Sequence, residues 1–348
     1  MAPPPGELSS KARLRGLSPP EKASVSYRIQ YSAIRKANME LSKILDLGQT
    51  ALELGLVNSL TVLALFLSYS MLNVCDLSTD GCFTLGAVVG AVVAISGHPL
   101  LSIPAAMLAG SVSGLVTATL QTRMGVQSLL AGIVVNSALY SVNMAISGNK
   151  AQLAMNKTET VFTMAKRLLA GTPLSGAYRL IVELIAVCLI VLFLSAFLKT
   201  KLGLSIRATG SNADMVRSSS INPVFTTTVG LCISNSFTAL SGCLMAQQGK
   251  SYDINLGSGM VTVALASLLI GGVFFGRSGV TLRAVGAVVG AFLFRVIYAV
   301  ALRFKMPGFM LKAVSAVIVV IAISGPYLRE QGKLLLRRRR SGREAGVC

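Results

Sequence analysis

The chain of 348 residues contains no tryptophan, one histidine and only 13 acidic residues. A proton-driven membrane transporter usually carries a series of intramembrane Asp, Glu and His side chains, so this shortage weakens a proton-driven mechanism. An enzyme embedded in the membrane would need a cluster of His, Asp, Glu or Ser at helix ends, and the sequence shows no such cluster. The 6 cysteines form no C-x-x-C pair and have no paired histidine, and this pattern argues against a metal site. We therefore expect no catalytic residue, metal ligand or bound cofactor in this chain.

Charged residues are scarce and apolar residues are abundant. Asp, Glu, Lys and Arg make up 13% of the chain, hydrophobic residues make up 53%, and the mean hydropathy is +0.68. Because a membrane span needs ~20 apolar residues, we predict an all-α polytopic membrane protein with about 8–10 transmembrane helices, one of them broken or re-entrant. The apolar runs lie at residues 51–72, 81–97, 100–120, 126–147, 177–198, 223–246, 259–276, 280–302 and 309–328.

The formal net charge of +19 lies mainly outside the apolar runs. Positive loops of membrane proteins face the cytoplasm. We therefore predict basic cytoplasmic tails over residues 1–47 and 329–348, on either side of a transmembrane domain over 48–328. Within the first tail, Tyr27–Leu47 has the spacing of a helix lying on the membrane surface, and a poorly ordered tail is the alternative. Since this charge follows a membrane rule, we expect no nucleic-acid binding.

The segment Asn73–Gly81 interrupts the early apolar runs with two aspartates and an asparagine. If the loop after the fifth run and the C-terminal tail are both cytoplasmic, the five crossings before that loop would place the N-terminal tail on the other side of the membrane. That placement conflicts with the positive charge of the tail. Irregular backbone survives at membrane depth where protein shields it or where it lines a cavity. We therefore predict that residues 70–97 form a broken or re-entrant segment that does not cross completely. An additional short crossing within residues 150–175 is the alternative.

The six-residue sequence Gly-Ala-Val-Val-Gly-Ala occurs twice, as Gly86–Ala91 and as Gly286–Ala291. Many transporters are built from duplicated halves, so the repeated sequence predicts a two-half internal repeat. Chance recurrence of Gly, Ala and Val is the alternative. Both copies contain a small-x-x-x-small spacing, which lets helices approach closely. The adjacent glycines Gly271 and Gly272 add to this pattern, and a tightly packed bundle is expected.

The sequence Gly249-Lys250-Ser251 is similar to the end of a nucleotide-binding P-loop. A P-loop requires a further glycine that is separated from the Gly-Lys-Ser by four residues, and Leu244 occupies that position. The motif is therefore incomplete, and we expect that this chain does not bind ATP itself.

The polar connector Lys199–Asn222 lies between two long apolar runs and carries four cations and one acid. Ser211 or Asn212 can cap a helix over residues 213–219, and Pro223 then opens the next span. The connector resembles the coupling loop of ABC importer permeases, in particular the amino-acid (tryptophan/tyrosine-like) subgroup of the branched-chain amino-acid and ribose permease superfamily. The resemblance implies that the ATPase-coupling residues are Gly203, Arg207, Ala208, Gly210, Asn212, Arg217 and Ile221. The run Ser218-Ser219-Ser220 departs from the family pattern, which has a glycine there.

The resemblance implies a function and a set of partners. It implies a permease subunit of an ATP-driven importer in a bacterial-type plasma (inner) membrane, working as a homodimer in the lipid bilayer. ATP–Mg would be bound by a separate ABC ATPase subunit, and an extracellular or periplasmic solute-binding protein would deliver a small solute, which family analogy makes an amino acid. Residues 246–257 resemble the outward-facing region of the family. A secondary transporter or channel without an ATPase is the alternative function.

Several polar residues within or beside the apolar runs are candidates for the translocation path. Related permeases carry a break similar to Asp76–Gly86, and free backbone N–H groups at a broken helix suit an anionic group. Thr79 or Asp80 can instead cap the following helix. Asparagines within spans can also serve as interhelical hydrogen-bond partners. The path candidates are Asp76, Thr79, Asp80, Gln127, Asn136, Asn143 and Asn235.

Three ionisable residues within spans also require partners. Arg179 and Glu183 are spaced i,i+4 and are expected to pair with each other. Arg295 lies deeper in its run, and we expect its partner to come from another helix or subunit.

Overall fold

The computed structural model describes residues 48–156, 158–171, 176–276 and 278–303, together with residues 316, 317, 320 and 324. The predictions for the tails 1–47 and 329–348, including the surface helix over Tyr27–Leu47, lie outside these residues. Most of the apolar run 309–328 also lies outside them.

Helices form almost all of the described structure, and six of them are long and apolar enough to cross a membrane. Two further apolar helices, α2 and α10, are shorter. The prediction of an all-α polytopic membrane protein is confirmed. In chain order the elements are α1 (Gly48–Met71, ending in a π-helical turn over Phe66–Met71), α2 (Thr79–Ile95), α3 (Ser102–Thr122), α4 (Ser128–Ile146), β1 (Gln152–Ala154), α5 (Val161–Leu168), α6 (Tyr178–Phe197), α7 (Lys201–Ser211), α8 (Ala213–Ser218), α9 (Pro223–Gly249), β2 (Ser251–Asp253), α10 (Met260–Phe275) and α11 (Val280–Arg303).

Helices α1 and α9 form the centre of the bundle and run antiparallel to each other. The hydroxyl of Ser241 donates to the Val57 carbonyl at 2.7 Å, and that of Ser234 donates to the Ala64 carbonyl at 2.8 Å. Both helices are largely buried, whereas α3, α4 and α6 expose most of their surface. The exposed side chains of these outer helices are mainly apolar, as expected for helices in contact with lipid.

Helix α2 begins near the middle of the bundle. The Cys82 thiol lies 3.3 Å from the carbonyl of Asn235, which is close to the midpoint of α9, and Gly90 packs against Cys243 further along. Therefore α2 runs parallel to α9, away from the connector. The chain returns from the end of α1 through the irregular stretch 72–78 and completes the crossing with α2. The prediction of a broken segment is confirmed.

The broken segment crosses completely, contrary to the prediction from the count of crossings. Helix α3 descends toward the connector, since Gln247 bonds Ser102 near its start and Gly114 packs on Leu231 further along. Strands β1 and β2, which follow α4 and α9, pair antiparallel on the face opposite the connector. Five membrane crossings thus precede the connector. Helix α1 therefore starts on the face of the bundle that lies opposite the connector. The alternative of an extra crossing in 150–175 is also wrong for the described residues there, which form β1 and the eight-residue α5.

The second half of the chain repeats this path in the opposite direction. Helix α10 begins beside Asp80 at mid-depth, and α11 starts near Ser70, to which Arg283 donates at 2.7 Å. Later in α11, Phe292 packs against Gly55 near the other face. The series α1–α2–α3 and the series α9–α10–α11 therefore each contain a long helix, a short helix that starts at mid-depth and a second long helix. The repeated six-residue sequence lies in α2 and α11. These helices do not occupy equivalent positions in the two series, so the repeated sequence does not reflect the inverted arrangement.

Glycines allow the close helix contacts that the small-residue spacings predict. Gly86 faces the backbone of Ala239, and Gly290 faces the backbone of Ser267. Gly271 lies against the Gly286 backbone, whereas no atom lies within 4 Å of a side chain added at the neighbouring Gly272.

We predict opposite effects for alanine at these two adjacent positions. Gly271→Ala forces its methyl group into the α11 backbone and is expected to cost about 1–3 kcal/mol of stability, as overpacking does. Gly272→Ala meets open space and gains helix propensity of up to about 1 kcal/mol. Thermal unfolding of the two purified variants in detergent measures the difference. Equal unfolding temperatures would contradict the close contact between α10 and α11.

Candidate functional site

The connector folds as two short helices with side-chain caps. The Thr200 hydroxyl accepts from the Gly203 amide at 3.2 Å at the start of α7. The Asn212 side chain accepts from the amides of Asp214 and Met215 at 3.1 and 3.0 Å and starts α8. The predicted Asn212 cap is confirmed, and α8 ends at Ser218. Pro223 then occupies the first turn of α9, as predicted.

One face of the connector packs against the bundle. Gly203 lies against the backbone of Phe197 and Leu198, and Gly210 lies against the backbone of Met71 and Leu72. Ile206 between them is fully buried. These glycines are therefore close-approach positions that seat the connector on α6 and α1.

The opposite face of the connector is open to a partner. The side chains of Ala208, Asn212 and Arg217 are exposed, and those of Arg207 and Ile221 are half-buried. The seven predicted coupling residues are thus divided between the two faces.

An apolar residue that the sequence analysis did not single out lies at the connector tip. Met215 on α8 is 67% exposed, while its neighbour Val216 is buried and faces the bundle. Arg217 lies 3.8 Å from Asp214 across the exposed surface of the same helix. Met215 is thus an apolar side chain on the exposed surface of a short capped helix.

Asp76 is buried within the break, directly before α2. Its carboxylate accepts from the Ser78 amide at 2.8 Å, from the Ser78 hydroxyl at 2.6 Å and from the Asn235 side-chain amide at 2.8 Å. Thr79 donates its hydroxyl to the Asp76 carbonyl at 2.9 Å. The structure therefore brings Asp76, Thr79 and Asn235 together. The N-cap residue of α2 is Ser78, and its side chain does not cap the helix, so neither Thr79 nor Asp80 is the cap that the sequence had suggested.

Asp80 is directed at a different helix. Its two carboxylate oxygens accept from the amides of Gly259 and Val261, at 2.9 and 2.8 Å, at the start of α10. The N-termini of both short helices thus carry a carboxylate from the chain itself. The amides of Ser78, Gly259 and Val261 are thus bound by carboxylates of the chain itself, whereas binding of an anionic solute by the amides of the first turn of α2 stays a prediction.

The other path candidates lie on α4 or at its start. Asn143 is buried and donates to the Gly81 carbonyl at 3.2 Å. Asn136 is half-buried, and its side-chain oxygen also faces Gly81. Gln127 is exposed at the residue before α4. Asn143 therefore forms the kind of interhelical hydrogen bond that was the alternative to a role in the path.

The predicted pairing of Arg179 with Glu183 is wrong. Arg179 forms its ion pair with Glu53 on α1, at 3.6 Å, because the two helices meet near this face. Within the described part of the chain, both carboxylate oxygens of Glu183 are buried without a hydrogen-bond partner.

Arg295 is bound by another helix, as predicted. Its Nε donates to the side-chain oxygen of Asn58 on α1 at 2.7 Å once the amide is oriented toward the guanidinium. The guanidinium also lies 5.5 Å from the centre of the Tyr298 ring.

The β1–β2 ribbon lies on the face opposite the connector. Tyr252 is buried between the ribbon and the helices, and its burial, with the nearby charge of Asp253, raises the pKa of Tyr252 to about 12. The hydroxyl is therefore neutral at physiological pH. No group of three His, Cys, Asp or Glu residues within the described ranges is placed to hold a metal ion.

The Asp76–Asn235 hydrogen bond leads to a swap prediction. Asn235→Asp places two buried carboxylates side by side and is expected to cost about 3 kcal/mol or more. Adding Asp76→Asn restores one amide and one carboxylate, so the double variant should recover most of the lost thermal stability. A double variant that is no more stable than Asn235→Asp alone would rule out this pairing.

Comparisons with known proteins agree with this arrangement. The family described as "Branched-chain amino acid transport system / permease component" matches residues 50–323. The chain is 32% identical over 267 residues to the "Tyrosine transport system permease protein" of Clostridioides difficile (strain R20291), which covers 76% of this chain and 86% of that protein. It is 34% identical over 226 residues to an uncharacterized protein of Rickettsia prowazekii (strain Madrid E), covering 64% of this chain and 75% of that protein. No solved structure gives a significant match.

The family match spans most of the chain, and the helices of the structure are those of a multi-pass protein of the inner membrane. The chain therefore belongs to the ABC permease components of branched-chain amino acid-type transport systems.

Proposed function

We propose that this permease is the membrane subunit of an ATP-driven importer and that its connector is the docking site of a separate ATPase subunit. The observation that carries the proposal is the two-faced connector. Gly203 and Gly210 seat it on the bundle, while Met215 and Arg217 on α8 point outward. A surface that is rigidly attached on one side and exposed on the other can transmit force from a moving partner.

The proposed mechanism uses two copies of the permease around a common path, with one ATPase docked at each connector. ATP–Mg binds in the ATPase subunits, and closure of these subunits moves the connectors. Since the connector contacts the end of α1 through Gly210, its movement acts directly on a central helix. The solute enters from the face of the β1–β2 ribbon, where an external solute-binding protein delivers it.

The proposed solute is an amino acid, and an aromatic one in the first instance. This rests on the similarity to the tyrosine transport system permease protein of Clostridioides difficile, which covers 76% of this chain. Asp76 and Asp80 do not contribute free carboxylates to solute binding, because Ser78, Asn235 and the amides at the start of α10 already bind them.

We predict that charge reversal at Arg217 releases the ATPase. Arg217 is exposed on α8, so Arg217→Glu should leave thermal stability unchanged and should abolish co-purification of the ATPase with the tagged permease from its native membrane. Arg207→Glu should weaken the complex less, since Arg207 is half-buried. The matched control is Arg123→Glu, which changes an exposed cation at the connector end of α3.

Mass spectrometry of the purified material decides between the outcomes. Recovery of an ATPase with the wild type and the control, but not with Arg217→Glu, supports the proposal. A homo-oligomer without an ATPase, unchanged by any of the substitutions, would favour a secondary transporter or channel.

The solute is tested with the reconstituted complex in proteoliposomes. Uptake of labelled tyrosine that requires ATP and the solute-binding protein is the expected result, with leucine and ribose as competitors. ATP-dependent uptake of labelled leucine or ribose, with no uptake of labelled tyrosine, would overturn the choice of solute.

A further inference from the structure

We propose that Asp80 is the positioning residue that joins the two inverted halves of the bundle and carries movement of the connector to α10. The part of this proposal that involves ATP rests on the proposed function. The part that concerns the joint between the helices stands on the geometry alone.

The joint is formed where two short helices begin at mid-depth and run in opposite directions. Helix α2 runs away from the connector, and α10 runs toward it. Asp80 lies in the first turn of α2, and its carboxylate binds the amides of Gly259 and Val261 across 179 and 181 residues of sequence. A second contact supports it, because the Gly257 amide donates to the Thr84 hydroxyl at 3.2 Å.

Helix α10 has no side-chain cap of its own. The residue before its first turn is Gly259, which has a φ of +86° and no side chain to accept a hydrogen bond. Backbone amides at membrane depth have no bulk water to bind and must be satisfied by protein. The Asp80 carboxylate satisfies two of them, and its negative charge also suits the positive end of the helix. Helix α10 therefore depends on a residue of the other half for its start.

The space around the joint is closed. A side chain at Gly257 would strike the Asp80 carbonyl and would come within 2.6 Å of the Thr84 hydroxyl. The loop before α10 is consequently held against the first turn of α2 by its backbone as well as by the carboxylate. The two segments are expected to move as one unit while Asp80 is bound.

A continuous series of contacts leads from the connector to this joint. Gly210 lies against the end of α1, and Leu72, which follows α1, packs over Gly230 of α9. The irregular stretch 72–78 comes next, anchored to α9 by the bond between Asp76 and Asn235. The first turn of α2 follows at once and carries Asp80. Displacement of the connector thus reaches α10 through α1, the break and Asp80.

Hydrogen exchange of the amides over residues 259–263 tests the joint without ATP. Asp80→Ala removes both acceptors and should accelerate exchange there by about tenfold or more, given the usual strength of hydrogen bonds to a charged group. Asp80→Asn keeps one acceptor oxygen and should give an intermediate rate. Glu159→Gln is the control, since Glu159 pairs with Arg167 at an exposed surface beside α5, away from the joint. Unchanged exchange in both Asp80 variants would overturn the proposal.

Transmission is tested by adding a displacement at the connector. Gly210→Ala presses on the Met71 carbonyl, whereas Gly203→Ala presses on α6 and serves as the control. With Asp80 present, Gly210→Ala should change exchange at 259–263, and Gly203→Ala should not. In the Asp80→Asn background the response should be reduced, and in the Asp80→Ala background it should be lost. A response of the same size without Asp80 would contradict its role.

The complex in proteoliposomes provides the second readout, the number of ATP molecules hydrolysed per solute transported. If Asp80 carries the movement, Asp80→Ala should lower transport at least several-fold more than ATP hydrolysis, and Asp80→Asn should recover part of the transport. Equal losses of transport and hydrolysis would indicate a merely structural role. The absence of an ATPase from the purified complex would refute the proposed function, but the exchange experiments would still decide whether Asp80 forms the joint.

Discussion

Backbone amides and carbonyls inside a bilayer must find their partners within the protein, and the middle of this bundle is organised by that requirement. Two helices begin there, and each leaves N–H groups without intrahelical acceptors. Asp76 binds the amide of Ser78 before α2, and Asp80 binds two amides at the start of α10. The short helices, the irregular stretch 72–78 and the close packing around Gly257 all depend on these bonds.

The same requirement explains why the polar residues of the core are mostly bound to one another. The Asp76 carboxylate holds Asn235, Asn143 holds the carbonyl of Gly81, and Arg295 holds Asn58. The Asn143 and Arg295 bonds join helices that meet at glycines, since Gly81 faces α4 and Gly55 faces α11. Glu183 differs, since its carboxylate has no hydrogen-bond partner among the described residues.

Much of the architecture could be predicted from the sequence, because apolar runs and capping residues are local signals. The spans, the Asn212 cap and the break before α2 were all visible. The direction of the chain through the break was not, because a count of positive charges does not show whether a short helix completes a crossing. The partners of Asp80, Arg179 and Arg295 could not be identified either, since each lies on a helix distant in sequence. The repeated six-residue sequence was a misleading signal, because its two copies lie in helices that do not occupy equivalent positions in the two halves.

The long separation between Asp80 and the start of α10 has a consequence for the synthesis of the protein. When Asp80 leaves the ribosome, the amides that it will bind are still 179 residues from being made. At the usual rate of about 5–20 residues per second, this interval lasts about 10–35 s. During that time α2, which is too short to span a bilayer alone, enters the membrane with its carboxylate unpaired. Until the second half arrives, the carboxylate therefore has either to bind a proton or to be solvated by the insertion machinery or by water.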